Sequence, residues 1–288
     1  MLIGAHVSTA GGLANAVGRG EERGCESIQI FHQSPRTWRP TAYGPEDFAA
    51  FREAMEGSKV QAVVIHAVYL INCATKDKEL RKKSLASLTH ALRIGDAIGA
   101  AGVVLHPGAQ KGEPHGPSMK RAAKVIAAAL QESESCPLLL EQTAGHQGLL
   151  GRDFDETAEL IELAGGGERL GLCLDSCHLF VQGFDITDEE RLAAVLDEAD
   201  AKVGLDRLGC VHVNDAAAPL GSCRDRHANV GEGEMGRRGL AAFLSEPRFE
   251  GLPATLETPG PDRKGPSKEE VQAARRLRRE GLRHRERS

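Results

Sequence analysis

Short apolar runs of strand length recur along the chain, separated by longer amphipathic stretches. Most of the runs are continuous rather than alternating in hydrophobicity, which is typical of strands buried on both faces of a parallel sheet. There are eight such runs, at residues 2–5, 27–31, 62–65, 102–105, 137–140, 170–174, 208–211 and 253–256. They predict eight parallel strands.

The stretches between the runs have the composition and spacing of helices. Five are clear, at residues 46–57, 78–100, 118–133, 153–165 and 187–200. Thr187 and Asp188 open the last of these ahead of acidic residues, which is typical of N-terminal capping. Strand–helix alternation repeated eight times predicts an α/β fold, a (β/α)8 TIM barrel.

An open, doubly wound sheet is the main rival to the barrel. That fold would need a phosphate-binding loop or a dinucleotide fingerprint at its switch point, and the sequence contains neither. No linker or low-complexity segment divides the chain before residue 260. We therefore expect a single barrel domain at residues 1–262, followed by a basic C-terminal helix or tail at 263–288.

Composition narrows the class of protein. Of the 288 residues 41% are hydrophobic and 27% charged, which is ordinary for a soluble globular chain. No signal peptide stands at the N-terminus, and no run approaches the roughly 20 apolar residues of a membrane helix. We expect a cytoplasmic monomer with no membrane partner. Cys173, Cys177 and His178 suggest a zinc site, but no second cysteine pair supports one, and buried reduced thiols are the simpler interpretation.

The charge is distributed unevenly. The formal net charge of −5 argues mildly against a nucleic-acid partner. Residues 263–288, however, carry ten Lys or Arg and four Glu. This segment could contact phosphate, although a solvated last helix with a frayed end explains the same composition.

An imidazole or a carboxylate follows every apolar run. In a barrel these strand ends meet at one mouth, where active sites lie. A single residue of this kind is usually structural, but so many ionisable groups in one pocket would be costly unless cations neutralised them. Imidazole and carboxylate ligands suit zinc, manganese or iron, and the number of histidines favours zinc. The residues are His6, His32, His66, His106, Glu141, Asp175 with His178 beyond it, His212 and Glu257, joined by Asp225 and His227 from a loop.

Eight sequence blocks between residues 4 and 259 resemble, in order, the signatures of the endonuclease IV family of apurinic/apyrimidinic endonucleases. The blocks are GAHVSTAGG, HAVYLIN, LHPG, LLLEQTAG, CLDSCHLFVQGFD, VHVND, GSCRDRHANVGEGEMG and LETP. The resemblance implies three Zn²⁺ per chain, with Mn²⁺ or Fe²⁺ able to replace zinc at one or more sites. It also implies three ligand sets: His66, His106 and Glu141; Glu141, Asp175, His212 and Glu257; and His178, Asp225 and His227.

The resemblance further implies a metal-dependent enzyme of base excision repair. Such an enzyme hydrolyses the phosphodiester 5′ to an abasic site in double-stranded DNA, leaving a 3′-hydroxyl and a 5′-deoxyribose phosphate, and also trims 3′-blocking groups. Glu141, Asp175 and Glu257 would be catalytic, because a bridging carboxylate holds two metals roughly 3.5–4 Å apart and lowers the pKa of a shared water. Wedges that enter the minor groove are expected in two mouth loops, at Arg36, Tyr69 and Leu70.

Two other classes of protein remain open. Metal-dependent sugar isomerases and epimerases share the barrel and its strand-end ligands, but they use fewer metals and need a free acid–base pair. The loop with Asp225 and His227 argues against them, and metal content would distinguish the two. A non-catalytic zinc- or DNA-binding protein is disfavoured by the complete ligand set, and cleavage of an abasic duplex would exclude it.

Overall fold

Eight parallel strands form a closed barrel in the computed structural model, which describes residues 1–146 and 148–287. The barrel strands are β1 Leu2–His6, β2 Ser27–Phe31, β3 Ala62–His66, β4 Gly102–Leu105, β5 Leu138–Glu141, β6 Leu170–Asp175, β7 Leu208–His212 and β10 Pro253–Leu256. They pair in the order β1-β10-β7-β6-β5-β4-β3-β2, and β1 pairs with β2 to close the ring. A short antiparallel hairpin stands apart, formed by β8 (Asp215–Ala216) and β9 (His227–Ala228). The prediction of a (β/α)8 barrel is confirmed.

Nine α-helices are found among the described residues, together with 3-10 turns at Leu205–Arg207, Pro247–Phe249 and Pro261–Arg263. The five helices predicted from sequence are confirmed, with every end within three residues of the prediction. The sequence pattern does not predict α1 and α8, because each contains two glycines, which lower helix propensity. The helices are α1 Asn15–Arg23, α2 Pro45–Glu56, α3 Lys78–Ile98, α4 His115–Gln131, α5 Phe154–Leu163, α6 Ser176–Gln182, α7 Glu189–Lys202, α8 Gly236–Leu244 and α9 Lys268–Arg285.

The barrel interior contains a small apolar layer beneath the mouth. Glycines on β6 and β7 make room for the Leu139 side chain in this layer. A Cβ added at Gly171 or Gly209 would come within 2.7 or 2.5 Å of the Leu139 side chain. The layer is fully packed below the mouth and consists of Val64, Val104, Leu139, Cys173 and Cys210.

The basic C-terminal segment folds as an outer helix of the barrel. Ser267 caps α9 in a capping box with Glu270, and Val271, Ala274 and Leu277 on its inner face are buried. The helix packs against α8 and α1. The domain boundary between residues 262 and 263 stays a prediction. None of the described helices combines the length and hydropathy that a bilayer crossing needs.

Candidate metal centre at the barrel mouth

The strand periodicity carries the candidate ligands to the mouth. Side chains two residues apart on a strand point to the same face. Residues two positions beyond the interior apolar layer therefore also point inward, one level higher. Val64, Leu139, Cys173 and Cys210 are followed in this way by His66, Glu141, Asp175 and His212.

Two metal-capable groups share Glu141. In the first, Oε2 of Glu141 lies 3.3 Å from Nε2 of His66 and 2.8 Å from Nε2 of His106. In the second, Nδ1 of His212 lies 3.1 Å from Oε1 of Glu141, 3.7 Å from Asp175 and 3.3 Å from Glu257. The ligand atoms of each group lie within 4.8 Å of one another.

A third group forms beside the first two. Nε2 of His178 lies 3.4 Å from Oδ2 of Asp225, and Nε2 of His227 lies 3.2 Å from Oδ1 of the same carboxylate. His227 is positioned by the hairpin, in which it pairs with Ala216. The neighbouring Asp215 side chain accepts hydrogen bonds from the backbone N–H groups of Gly233 and Met235, so the glycine-rich loop braces this hairpin.

Asp175 and His178 are close in sequence but belong to different groups. Asp175 ends β6 and also caps α6, because its Oδ1 accepts the backbone N–H of His178 at 2.9 Å. Its other oxygen faces His212. The first turn of α6 carries the His178 ring across to Asp225.

Backbone carbonyls fix the orientation of three of the histidine rings. Nδ1 of His66 lies 2.7 Å from the carbonyl oxygen of Ala67, and Nδ1 of His178 lies 2.9 Å from that of Gln142. Nδ1 of His227 lies 3.3 Å from that of Glu257. Because a carbonyl can only accept, Nδ1 carries a hydrogen in each ring and Nε2 is left facing the cluster, where it can bind a cation once the ring is neutral.

Gln29 and Asn214 support the second group, and the sequence analysis missed both. The Gln29 amide donates to Oε1 of Glu257 at 2.6 Å, and its oxygen lies 2.8 Å from Nε2 of His212. The Asn214 amide donates to Oδ2 of Asp175 at 2.6 Å. A buried Gln inside the apolar run at 27–31 was the available signal for the first, and the Asn two residues after His212 for the second.

Electrostatics in the cluster favour charged pairs. Burial opposes ionisation of Glu141, but His106 and His212 hold the pKa of its carboxyl well below the ordinary value. Burial also opposes ionisation of Glu257, yet His212 and His66 lower its pKa to about 2. Burial would lower the pKa of His227, but Asp225 and Asp175 raise it to about 9. The carboxylates are thus stable as anions only with cationic partners.

The donor set fits divalent cations. Nε2 of His66 and Nε2 of His227 are buried, and neither is aligned for a hydrogen bond with any described residue. Buried polar atoms are normally satisfied, so two unpartnered ring nitrogens at one centre indicate a missing partner. Imidazole nitrogens with carboxylate oxygens are the ligands that zinc prefers.

The cysteines do not form a separate thiolate site. Sγ of Cys210 lies 3.4 Å from Sγ of Cys173 within the interior layer, close to His212, and Cys177 lies near Asp175 and His227. Burial raises the pKa of the Cys173 and Cys177 thiols, which keeps them protonated. All seven cysteines are free.

Two of the strand-end histidines lie outside the metal-capable groups. Nδ1 of His6 lies 3.2 Å from the Gln29 amide, and burial lowers the pKa of His6 to about 4. His32 is buried against Ser87 on α3, and burial lowers its pKa to about 3. Both rings are therefore neutral and structural near pH 7.

The three residues expected to probe DNA occupy different environments. Tyr69 is 61% exposed, and its ring packs edge-on against the rings of Phe31 and His106 and at a tilt against that of His66. Leu70 is half-buried and packs against the core, whereas Arg36 is exposed in the loop after β2. A cavity of about 900 Å³ extends from Tyr69 and Glu257 along the loops that follow β1, β2 and β10.

Comparison with known proteins shows one family along most of the chain. The family described as a xylose isomerase-like TIM barrel matches residues 18–280. The probable endonuclease 4 of Chloroflexus aurantiacus is 40% identical over 259 residues, which cover 89% of this chain and 91% of that protein.

Solved structures give the same picture. Endonuclease IV from Thermus thermophilus superposes with a TM-score of 0.83 and 36% identity, covering 99% of this chain and 100% of that one. D-psicose 3-epimerase from Clostridium cellulolyticum superposes with a TM-score of 0.69 over 98% of this chain and 99% of that one, at 13% identity. The second likeness extends to the fold alone.

Proposed function

Because the chain belongs to the endonuclease IV family, we propose that this DNA-hydrolysing enzyme cuts the phosphodiester 5′ to an abasic site in duplex DNA. The products are a 3′-hydroxyl and a 5′-deoxyribose phosphate, and 3′-blocking groups are trimmed in the same way. One observation carries the proposal: Glu141 lies between two metal-capable groups, and a third group adjoins them.

The proposed metal ligands are assigned by group. His66, His106 and Glu141 would hold one divalent ion, and His178, Asp225 and His227 another. Glu141, Asp175, His212 and Glu257 would hold the third. When bound, zinc ions supply positive charge to a phosphodiester and lower the pKa of a coordinated water.

The protein's own residues prepare this centre for an anionic substrate. Glu141 and Asp175 are buried and immobilised by their partners, so their carboxylates need no reorganisation when phosphate arrives. Glu257 is fixed through the Gln29 amide and completes the wall between the centre and the cavity of about 900 Å³. Asp225 is the carboxylate of the third group, and its side chain is partly exposed to solvent.

The mouth loops would distort the DNA. The exposed Tyr69 ring beside the cluster and the exposed Arg36 cation suit the minor groove of an opened duplex. Leu70, half-buried next to Tyr69 in the same loop, would act as a further apolar wedge. Unstacking costs least where a base is already missing, which gives lesion selectivity without sequence readout.

Product analysis on a duplex with one abasic site tests the proposal. We expect ends bearing a 3′-hydroxyl, activity lost on treatment with a chelator, and activity restored by zinc. Borohydride should trap no protein–DNA adduct, because hydrolysis needs no Schiff base. A 3′-unsaturated aldehyde product or a trapped adduct would refute the mechanism.

A charge-neutral variant tests the assignment of Glu257. Glu257→Gln keeps the size of the side chain but removes a negative charge from the second group, so cleavage should slow by about 100-fold or more. Cleavage by Glu257→Gln at the wild-type rate would exclude the site assignment.

A second variant tests the loop that contains Tyr69. Tyr69→Ala should weaken binding of the abasic duplex and leave metal content intact.

A further inference from the structure

The groove between the N-terminal half of α3 and the middle of α4, here called the α3–α4 groove, is lined by cations. Its volume is about 370 Å³, and its apolar floor is formed by Leu85 and Val125. No carboxylate lines it among the residues the structure describes. The cations are Lys78, Arg81, Lys82, Arg121 and Lys124.

The arginines and the lysines of the groove differ in their bonding. Arg81 donates to the backbone carbonyl of Thr75 at 2.9 Å, and Arg121 donates to that of Ala74 at 2.7 Å. These bonds tie both guanidinium groups to the β3–α3 loop but neutralise neither charge. The exposed lysines form no ion pair or hydrogen bond through their ammonium groups within residues 1–146 and 148–287; they are Lys78, Lys82 and Lys124.

The surplus of positive charge is local. Residues 76–83 and 111–124 together carry nine Lys or Arg against three Asp or Glu, in a chain whose net charge is −5. At the other end of the same helix pair, Arg93 on α3 forms an ion pair with Glu132 just after α4, at 2.8 Å. At the groove end Lys76 pairs with Glu113 at 2.6 Å, but no carboxylate among the described residues lines the groove itself.

The α3–α4 groove adjoins the loop that leads to the candidate metal centre. The loop that presents Tyr69 at the mouth runs on to Ala74 and Thr75, where the two arginines are bound. Between groove and mouth lies a cavity of about 240 Å³, lined among others by Tyr69, His106 and Lys111. A polyanion leaving the mouth on this side would therefore pass Lys111 and then reach the cations of the groove.

We propose that the α3–α4 groove binds the phosphate backbone of one duplex arm flanking the lesion. The inference rests on the proposed function, which brings duplex DNA to the mouth. Unpaired lysines on two adjacent helices repel one another, and phosphates relieve that repulsion while releasing condensed counterions. A lysine ammonium group is a flexible point charge and makes no planar, bidentate hydrogen bonds, so it suits phosphate contacts that do not depend on base sequence.

The salt dependence of binding tests the groove. Binding of the full-length, zinc-loaded protein to an abasic duplex with arms of about 15 base pairs is measured over a series of salt concentrations. Each phosphate contact contributes about 0.9 to the slope of log K against log salt. Lys82→Gln and Lys124→Gln should each flatten the slope by about 0.9, and the double variant by about twice that. Lys59→Gln is the matched control, because Lys59 is exposed before β3 at the opposite end of the barrel.

Substrate asymmetry distinguishes a local contact from a general field. Two duplexes of equal length place the abasic site near one end or near the other, so that only one of the two arms is long. The Lys82→Gln effect should appear with one of these duplexes and be absent with the other. Equal effects on both, or a slope that matches Lys59→Gln, would overturn the groove proposal.

The same substrates keep the two proposals separable. If the wild-type protein bound these duplexes but cut none of them, the proposed function would fail. The slopes of the lysine variants would still decide whether the α3–α4 groove contacts DNA, because they are measured on binding alone.

Discussion

Glu141 presents one carboxylate oxygen to each of two metal-capable groups, with Oε2 2.8 Å from His106 and Oε1 3.1 Å from His212. A ligand shared in this way should couple the occupancy of both. We expect Glu141→Gln to reduce metal content from about three ions per chain to about one, because the amide loses the charge that both ions need. Elemental analysis after gel filtration measures this. His227→Ala is the comparison and should cost about one ion; equal losses from the two variants would contradict a shared ligand.

Gln29 shows how a residue that binds no metal can set the geometry of the ligands. It is fully buried and joins Nε2 of His212 to Oε1 of Glu257. Gln29→Leu leaves both groups without that partner, and loss of such support typically costs about 10–100-fold in metal affinity. Competition with a coloured chelator measures the affinity. Gln33→Leu is the control, because Gln33 is buried but its amide donates to the backbone of Thr37 rather than to a proposed metal ligand; similar losses in both would mean that Gln29 acts through general packing.

At the level of elements, the periodicity of the sequence predicted the barrel because each strand is a short, continuous apolar run. Several strands extend one residue beyond the apolar run that predicted them, and their last residues are polar: His66, Glu141, Asp175 and His212. A polar side chain can occupy the last position of a buried strand when it points into a polar centre at the mouth. The assignment of ligands to the three groups came from the resemblance to a family, and the relatives confirm that family. Sequence spacing alone could not give this assignment, because Asp175 and His178 are close in sequence and only the first turn of α6 directs them to different groups.

The elements missed by the sequence analysis depend on tertiary packing. Helix α1 contains Gly18 and Gly20, which lower its propensity, but only Gly20 is required by a close approach. A Cβ at Gly20 would lie 2.5 Å from Cγ2 of Ile28 on β2, whereas Gly18 has no heavy atom within 4 Å of that position. Local sequence does not distinguish the two glycines, and only the barrel wall does.

The two glycines of α1 give a matched pair of substitutions. Gly18→Ala should stabilise the protein by about 0.5–1 kcal/mol, because alanine loses less entropy in a helix. Gly20→Ala should destabilise it by about 1–3 kcal/mol, because the added methyl overpacks the contact with Ile28. Denaturant unfolding of the zinc-loaded protein measures both. A shift of the same sign for the two variants would show that α1 is not seated on β2 as described.

On the scale of the whole molecule, the positions of the charges matter more than the net charge. Four carboxylates meet at the mouth, while the α3–α4 groove and residues 263–288 each carry a cationic surplus. Three divalent ions would bring about +6 to a chain of formal charge −5, so the loaded protein would be near neutral with its mouth no longer repelling phosphate. The acidic composition is therefore compatible with a DNA substrate.

This arrangement predicts that the stabilisation conferred by zinc grows with pH. Without metal, protonated imidazoles pair with the carboxylates, and the raised pKa of His227, about 9, means that its folded form binds a proton more tightly than its unfolded form. That contribution is complete below the ordinary histidine pKa of about 6.5 and is lost as pH rises through about 9. Zinc instead needs the neutral ring, so its binding strengthens over the same interval.

The difference in unfolding temperature between zinc-loaded and chelator-treated protein should therefore widen steadily from about pH 6.5 to about pH 9. Thermal unfolding at a series of pH values measures it, with ionic strength held constant so that surface charges are screened equally. In His227→Ala the widening should be smaller, because one of the groups that exchanges a proton for a metal is gone. A gap that stays constant or narrows with pH would mean that protons and metal do not compete for this cluster.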